Sequence, residues 1–153
     1  MADTTRDDLP LSSFLTYKLN RLAQMVNRAG TRWHEHVSGL TLSEWRIVAT
    51  LGSFGAASPS DVANRTQMDK AVISRVKNAL AGKGLISDDA DTTDSRKRVL
   101  DLTEDGRQLY LSVMPRVRNR QEALMEMFSD EELQIMHNSL DRMQMILERQ
   151  LTD

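Results

Sequence analysis

The sequence predicts a mainly α-helical protein with one small β-hairpin. Three observations support this prediction: apolar residues recur every three or four positions over long stretches, helix start and stop signals separate those stretches, and only two short runs have the composition of strands. The 153 residues suit one compact unit, or a small domain with helical extensions.

A long helix is predicted towards each end of the chain. The first carries an apolar stripe from Leu15 to Trp33, with steps of three and four residues, and we expect it to end near Gly39. The last begins at the capping-box spacing of Ser129 and Glu132 and carries a similar stripe. A small intervening core leaves both stripes without a partner, so we expect them to pack against each other and against a second copy of the chain. The competing interpretation is an intramolecular helical bundle in a monomer.

The second helix has a clear start signal. Thr41 and Glu44 have capping-box spacing, and Leu40 and Trp45 are placed for a hydrophobic staple. We expect this helix to stop at Gly52, because glycine commonly follows the last turn of a helix.

Two short helices follow, joined by a tight turn. Ser58 is a typical N-cap, with a proline at the first helical position, and the helix that it starts should end near Arg65. Asp69 is the expected cap of the next helix, which should run to Ala81 before two glycines close it. Two short helices separated by three or four residues are typical of a helix-turn-helix.

A β-hairpin with a long polar tip is predicted next. Leu85–Ile86 and Val99–Leu102 are short strand-like runs, and the loop between them is rich in acids. Thr103 then caps a further helix, which Pro115 should kink or split because proline cannot donate a backbone hydrogen bond.

This order of elements predicts a winged helix-turn-helix domain over residues 39–103. Residues 11–38 and 104–151 are predicted to form a helical dimerisation region.

The composition excludes several classes of site. There is no cysteine, which excludes disulfides, thiolate metal sites and thiol-based redox sensing. The net charge of −2 does not indicate a nucleic-acid-binding protein, although the stretch from Arg65 to Arg98 holds eight bases and only five acids. The N-terminus lacks the pattern of a signal peptide, and no apolar segment approaches the ~20 residues of a membrane helix. We therefore expect a cytoplasmic protein without a membrane partner.

The second of the two short helices has a polar face suited to DNA. Arginine can bind guanine bidentately in the major groove, and a small alanine lets the helix approach. The N-terminal half of a recognition helix usually contacts the base edges. The alternative is a solvated basic face on an ordinary amphipathic helix. The apolar face is formed by Val72, Ile73, Val76, Ala79 and Leu80, which leaves outward Lys70, Ala71, Ser74, Arg75, Lys77 and Asn78.

The tip of the hairpin carries three consecutive bases, Arg96, Lys97 and Arg98. Beside a helix-turn-helix, such a tip can reach a neighbouring minor groove, where the negative potential favours an inserted arginine. Asp94 lies two residues before Arg96 and can hold its guanidinium in an extended pose. The alternative is a solvated loop with an incidental ion pair.

The run from Asp91 to Gly106, DTTDSRKRVLDLTEDG, closely resembles the wing of the MarR (multiple-antibiotic-resistance regulator) family of winged-helix transcription regulators. The usual pattern there is D-P-x-D-x-R, a strand and then L-T-x-x-G, and this chain departs from it at Thr92, where proline is common. MDKAVISRVKNALAGKGLI, residues 68–86, resembles the family's recognition helix and its exit. GLTLSEWRIVATL, residues 39–51, is similar to the helix before it. With the terminal helices, the resemblance covers nearly the whole chain.

The resemblance implies a sequence-specific double-stranded DNA-binding transcription regulator that acts as a homodimer on an inverted repeat. It also implies repression of its own and neighbouring genes, and release from DNA by a small aromatic or phenolic anion.

The same resemblance assigns roles by position. Arg96 would enter the minor groove with Asp94 as its orienting partner, and Ser74 and Arg75 would be among the major-groove contacts. The two serines at the start of the first short helix would donate to phosphate, as helix N-termini can. The candidate DNA-binding residues are therefore Ser58, Ser60, Lys70, Ala71, Ser74, Arg75, Lys77, Asp94, Arg96, Lys97 and Arg98.

A ligand pocket is predicted at the junction of the first two helices. Trp33, His36, Trp45 and Arg46 are the candidate lining residues, because an indole wall and a cation suit an aromatic carboxylate. The alternative is that Trp45, at a staple position, belongs to the core and that Arg46 is a surface residue.

No cofactor, metal site or enzymatic activity is predicted. His34 and His36 are two apart on a helix and therefore point to different sides. The sequence has no nucleophile elbow, P-loop or dinucleotide-binding glycine motif. The alternative function is a winged-helix protein-interaction module without DNA-binding activity, in which Arg75 and Arg96 could be replaced by alanine without loss of function.

Overall fold

A computed structural model describes residues 9–90 and 97–152. The prediction of a mainly α-helical fold with a small β-hairpin wing is confirmed. A short 3-10 helix at Leu11–Ser13 precedes the regular elements. These elements are α1 (Leu15–Ser38), α2 (Leu42–Phe54), α3 (Pro59–Thr66), α4 (Lys70–Gly82), β1 (Ile86–Ala90), β2 (Arg98–Leu102), α5 (Glu104–Met125) and α6 (Asp130–Thr152).

The chain divides into two compact units, Met1–Val113 and Met114–Asp153. The first unit contains α1 to α4, the hairpin and the first part of α5, and the second contains the rest of α5 and α6. No helix among the described residues is both long enough and apolar enough to span a bilayer.

The core of the first unit is built around α2, which contacts α1, α3, α4 and β2. The predicted staple residues Leu40 and Trp45 are both buried. Each fully buried leucine or isoleucine contributes roughly 1.5–3 kcal/mol to folding. The largest side chains withdrawn from solvent are Ile47, Val48, Leu51, Val62, Ile73, Leu80, Leu100 and Val113.

Two predicted capping boxes are present. The Thr41 side chain accepts a hydrogen bond from the Glu44 amide (3.3 Å), and the Glu44 carboxylate accepts one from the Thr41 amide (2.8 Å). Ser129 and Glu132 make the same reciprocal pair, at 3.2 and 2.8 Å. Each box satisfies two backbone amides that a helix start otherwise leaves without partners, which explains where α2 and α6 begin.

Glu44 also joins the start of α2 to the end of α4. Its carboxylate is buried and accepts a hydrogen bond from the Lys83 ammonium at 2.7 Å. Burial opposes ionisation of Glu44, but the hydrogen bonds from Lys83 and Thr41 outweigh it, so the pKa of this carboxyl lies below its usual value.

One glycine prediction differs from the structure. Gly52 does not end α2, which continues to Phe54 and is capped by Gly55 at φ 81°. The ring of Tyr110 packs so closely on Gly52 that a Cβ there would lie 2.5 Å from it. Gly52 is therefore a site where α2 packs closely against Tyr110. Gly84, which follows the end of α4 as predicted, adopts a positive φ of 71°.

Two other local predictions also need correction. Asp69 occupies the N-cap position of α4, but its side chain makes no capping hydrogen bond. Pro115 was predicted to kink or split the helix that follows the hairpin, and the split does not occur, because α5 runs unbroken from Glu104 to Met125. A proline removes only one backbone donor from the helix, and the neighbouring hydrogen bonds can carry the helix past it.

The hairpin is longer than predicted. Ile86 pairs with Leu102 and Ala90 with Arg98 in an antiparallel register, so Asp88 and Asp89 belong to β1 and not to a loop. Ala57 adds a single bridge to Leu100, with reciprocal hydrogen bonds of 3.0 and 2.9 Å. Aspartate is rare in strands, and this pairing is a tertiary effect that overrides the local preference.

Candidate nucleic-acid interface

A tight turn joins α3 to α4. Gln67 adopts the left-handed conformation (φ 53°), and the amide of Met68 donates to the Ala63 carbonyl at 3.2 Å. The Thr66 hydroxyl donates to the Val62 carbonyl at 2.7 Å. These bonds close the C-terminus of α3 and let the chain turn at once into α4, which forms the predicted helix-turn-helix.

The two faces of α4 differ sharply in exposure. Ile73, Val76 and Leu80 are buried at three- and four-residue spacing. Ala79, which was predicted on the apolar face, is exposed. The opposite face is open to solvent, and its exposed members are Lys70, Ala71, Ser74, Arg75 and Asn78.

A shallow groove of about 220 Å³ runs between the start of α3 and the N-terminal half of α4. It brings together four of the candidate DNA-binding residues, which come from both helices. The groove is lined by Pro59, Ser60, Lys70, Ile73, Ser74 and Lys77.

The Ser58 hydroxyl is already engaged at the start of α3. It donates to the Asp61 carboxylate at 2.7 Å and accepts from the Asp61 amide at 3.1 Å. The hydrogen bond from Ser58 is the main reason that the pKa of Asp61 is lowered. The Asp61 carboxylate therefore stays charged at the start of α3, where it disfavours a phosphate beside Ser58. Ser60 is exposed, so it is the better placed of the two serines to bind a phosphate.

An ion-pair cluster joins α4 to the base of the wing. The Asp88 carboxylate accepts hydrogen bonds from the Lys77 ammonium and from Arg98 Nε, the latter at 2.8 Å. Arg98 Nη2 also donates to the Asp88 carbonyl. Lys77 was predicted to contact DNA, but its ammonium is held by Asp88, and only 18% of each of these two side chains is exposed.

The register of the hairpin explains how Asp88 reaches this position. Asp88 is two residues from the buried Ile86, so both point to the same face of the sheet, towards the core. Asp88 pairs with Leu100, which makes Arg98 its diagonal neighbour on that face. Burial opposes ionisation of Asp88, but the bonds from Lys77 and Arg98 outweigh it and lower the pKa of this carboxyl.

Sequence reasoning missed Asp88, because the run around it looked like a polar loop. The signal that could have found it is its two-residue spacing from Ile86, which is the period of a strand.

The rest of the predicted wing is described only in part. Lys97, just before β2, and Arg98, the first residue of β2, are both exposed. Asp94 and Arg96 lie outside the described residues. Their assignment to the minor groove stays a prediction.

A second cavity, of about 520 Å³, lies between α2 and the C-terminal end of α3. It contains two arginines, and the guanidinium of Arg65 lies over the ring of Phe54, 4.8 Å from its centroid. Arg46 Nη2 donates to Asn27 Oδ1 at 2.7 Å. The lining residues are Trp45, Arg46, Ala49, Thr50, Ser53, Phe54, Arg65, Thr66 and Gln67.

Two of the four predicted ligand-pocket residues line this cavity, namely Trp45 and Arg46. Trp33 and His36 are not among its lining residues, and His36 is exposed on α1. The position of Trp45 agrees in part with the alternative interpretation, because only 4% of this residue is exposed.

The aromatic cluster behind the cavity was not predicted. The buried ring of His34 lies between Trp33 and Trp45, with centroid distances of 4.7 and 5.2 Å. Trp45 in turn stacks with Tyr110 at 6.4 Å. The four-residue spacing of the buried Gly30 and His34 on α1 is the sequence signal that this face of the helix meets the core. Within the described residues, no group of three or more potential metal ligands of the histidine, aspartate and glutamate type is found.

Comparison with known proteins agrees with this architecture. The model of the MarR family matches residues 40–97, from the start of α2 to the wing. The HTH-type transcriptional repressor YetL of Bacillus subtilis (strain 168) is 32% identical over 101 residues, which cover 63% of this chain and 60% of the repressor, less than two thirds of its length. Residues 40–97 of the chain are therefore similar to the MarR family of regulators.

Solved structures extend the likeness beyond the matched region. A MarR/EmrR family transcriptional regulator from Acinetobacter sp. ADP1 has the same fold, with a TM-score of 0.86 and 24% identity over 92% of this chain and 99% of the other. BpsR of Bordetella bronchiseptica, a structure described as explaining regulation of DNA binding by 6-hydroxynicotinic acid, gives a TM-score of 0.77 and 25% identity over 89% of this chain and 96% of the other.

The region that matches the MarR family holds nearly all of the candidate surface. The helix-turn-helix, the groove and the Asp88 cluster lie between residues 40 and 97, except for Arg98, which follows immediately. The region that carries the family likeness is thus the region that exposes the polar face of α4.

Proposed function

We propose that the chain is a sequence-specific double-stranded DNA-binding transcription regulator. The observation that carries this proposal is the exposed polar face of α4, which adjoins the groove at the start of α3. A helix lies in the major groove through such a face, while the preceding helix meets the backbone.

The chemistry of this face supports base recognition. Arg75 is exposed in the first half of α4 and can bind the O6 and N7 atoms of guanine bidentately. Ser74, exposed beside it, can donate or accept, and Ala71 leaves room for close approach. Lys70 and Ser60, on either side of the groove, are suited to phosphates.

The proposed active form is a homodimer on an inverted repeat, with residues 11–38 and 104–151 as its dimerisation region and residues 39–103 as its DNA-binding domain. Apolar side chains that are exposed to solvent in the single chain support this proposal. Leu15, Leu22 and Val26 on α1 are each more than half exposed. On α6, Leu140 is 50% exposed and Leu147 54%. Contiguous exposed apolar faces of this kind mark protein contacts, and a second copy provides matching ones.

The proposed regulation is repression that a small aromatic or phenolic anion relieves. YetL is named a repressor, and 6-hydroxynicotinic acid is named as the regulator of DNA binding by BpsR. In this chain, the cavity between α2 and α3 combines the indole of Trp45 with the cations of Arg46 and Arg65. Its volume of about 520 Å³ lies within the usual range for small-molecule sites.

The test is a titration of a fluorescent duplex from the region upstream of the chain's own gene, beside a scrambled duplex, at two salt concentrations. We expect binding to the upstream duplex ~10³-fold or more tighter than to the scrambled one, and weaker at high salt, because phosphate contacts release counterions. Arg75→Ala should lose roughly tenfold or more of the affinity for the upstream duplex, since a bidentate contact is worth about 1–3 kcal/mol. The matched control is Arg107→Ala, which removes one exposed arginine from α5, outside the helix-turn-helix.

Two results would count against this function. Equal loss in the Arg75→Ala and Arg107→Ala proteins would show that α4 does not read the bases. If wild type binds neither the upstream duplex nor any duplex selected from a random pool, the winged domain serves a protein partner instead.

The ligand can be tested on the same complex. We expect 6-hydroxynicotinic acid, used as a probe aromatic carboxylate, to release the upstream duplex from wild type, and Arg65→Ala to require a higher concentration. Arg107→Ala again serves as the control. Release that is identical in all three proteins would exclude the α2–α3 cavity as the site of action.

A further inference from the structure

We propose that Asp88 is a specificity-determining residue, whose carboxylate competes with DNA phosphates for Lys77 and Arg98 and so keeps non-specific binding weak. This inference rests on the proposed DNA-binding function. It concerns the junction between α4 and the wing, where one carboxylate binds one cation from each element.

The position of the cluster makes the competition possible. Lys77 lines the groove between α3 and α4, next to Ser74, and is thus at the edge of the face that we assign to DNA. Arg98 is at the start of β2, with half of its side chain exposed. Both cations are within reach of a backbone that passes between the recognition helix and the wing, but both are bound to Asp88 in the free protein.

The effect on DNA affinity follows from the charges. With Asp88 in place, the three side chains carry one net positive charge, and each cation must leave a partly buried carboxylate to bind a phosphate. Without this carboxylate, two cations are available. Each cation that binds a phosphate strengthens the binding of any duplex. Each such contact also makes the slope of log K against log salt steeper by about 0.9, so the affinity should become more salt-dependent.

The competition acts mainly on non-specific binding. Binding to a wrong sequence is almost entirely electrostatic, whereas binding to the operator also depends on base contacts that Asp88 does not touch. Loss of the carboxylate should therefore raise the affinity for a scrambled duplex by a larger factor than the affinity for the operator, and discrimination should fall.

The experiment compares Asp88→Asn with Asp89→Asn on a scrambled duplex over a series of salt concentrations. Asp89 is the adjacent acid on β1, exposed and on the opposite face of the hairpin, so its replacement removes the same charge without releasing Lys77 or Arg98. We expect Asp88→Asn to bind the scrambled duplex about tenfold or more tighter at 0.1 M salt, with the salt slope steeper by between one and two. Asp89→Asn should change the affinity by less than about threefold and leave the slope unchanged, because an exposed charge is screened.

A second variant separates competition from loosening of the wing. Lys77→Gln in the Asp88→Asn background should remove about half of the gain in slope, because only Arg98 is then released. A wing that had merely come loose would show lower affinity for the operator and no gain on the scrambled duplex, and this result would overturn the inference. Equal behaviour of Asp88→Asn and Asp89→Asn would overturn it as well.

The two proposals fail in different ways. If wild type does not discriminate between operator and scrambled duplexes, the proposed regulatory function fails. If wild type discriminates but Asp88→Asn leaves the salt slope unchanged, only the role of Asp88 fails.

Discussion

The carbonyl oxygen of Leu85 lies 1.9 Å from the position that a Cβ atom on Gly106 would occupy. The same carbonyl accepts a hydrogen bond from the Thr103 amide at 3.2 Å, and the Thr103 hydroxyl donates to the Gly84 carbonyl at 2.6 Å. The start of α5 is thus held directly against the chain that leaves α4. Only a residue without a side chain fits at position 106.

Gly106→Ala should therefore destabilise the protein strongly. A side chain cannot enter a space that a backbone atom fills, so either α5 or the Leu85 peptide must move. We expect the free energy of unfolding to fall by about 2–3 kcal/mol or more, at the upper end for overpacked sites. Chemical denaturation monitored by circular dichroism measures this change.

Gly82→Ala is the matched control for that experiment. Gly82 is the last residue of α4, and a Cβ there meets no atom within 4 Å. Since alanine is the better helix former, this variant should be as stable as wild type or up to about 1 kcal/mol more stable. Equal destabilisation by both replacements would contradict the assigned role of Gly106.

The Glu44 carboxylate should make stability depend on acid pH. Its pKa is lower in the folded chain than in the unfolded chain, where it is close to the ordinary 4.5. Ionised Glu44 therefore stabilises the folded protein fully at a pH above the pKa that this carboxyl has in the unfolded chain. The stabilisation is lost as the pH falls through the pKa that it has in the folded chain. We expect the free energy of unfolding to decline below about pH 4.5 and Glu44→Gln to reduce that decline.

At pH 7, Glu44→Gln should be less stable than wild type by about 1–3 kcal/mol, the range for hydrogen bonds to a charged group. Glu35→Gln removes an exposed carboxylate from α1 and should unfold like wild type at this pH. Urea titrations of the three proteins at several pH values provide the comparison. A pH profile of Glu44→Gln that parallels that of wild type would rule out this role of Glu44.

The proposed dimer predicts that one apolar residue on α6 controls the assembly. Leu140→Asp places a charge on a side chain that is half exposed in the single chain, so the monomer should remain folded while the dimer dissociates. Sedimentation velocity over a range of protein concentrations measures the shift. Ser139→Asp, at an adjacent exposed position of the same helix, should stay dimeric. A wild type that is monomeric at every concentration would favour the intramolecular bundle.

The candidate DNA surface could be predicted from sequence to a considerable extent. Ser58 carries an N-cap signal, and it does cap α3 through the Asp61 amide. The outward positions of Ser74 and Arg75 follow from the spacing of the buried Ile73 and Val76. The sequence did not show that two polar groups of this surface already have partners, because the Ser58 hydroxyl is bound to Asp61 and the Lys77 ammonium to Asp88.

The sequence by itself determined the kind and order of the elements, the capping boxes and the exposed face of α4, because these depend on residues at most four positions apart. Only the tertiary structure decided which residues meet across elements. Lys77 and Asp88 are 11 positions apart, and Glu44 and Lys83 are 39 apart. A strand at Asp88 and a close packing site at Gly106 arise from the register of the hairpin and from the approach of α5. Local preference carries no information about such partners, because it describes one stretch of chain and not its neighbours in space.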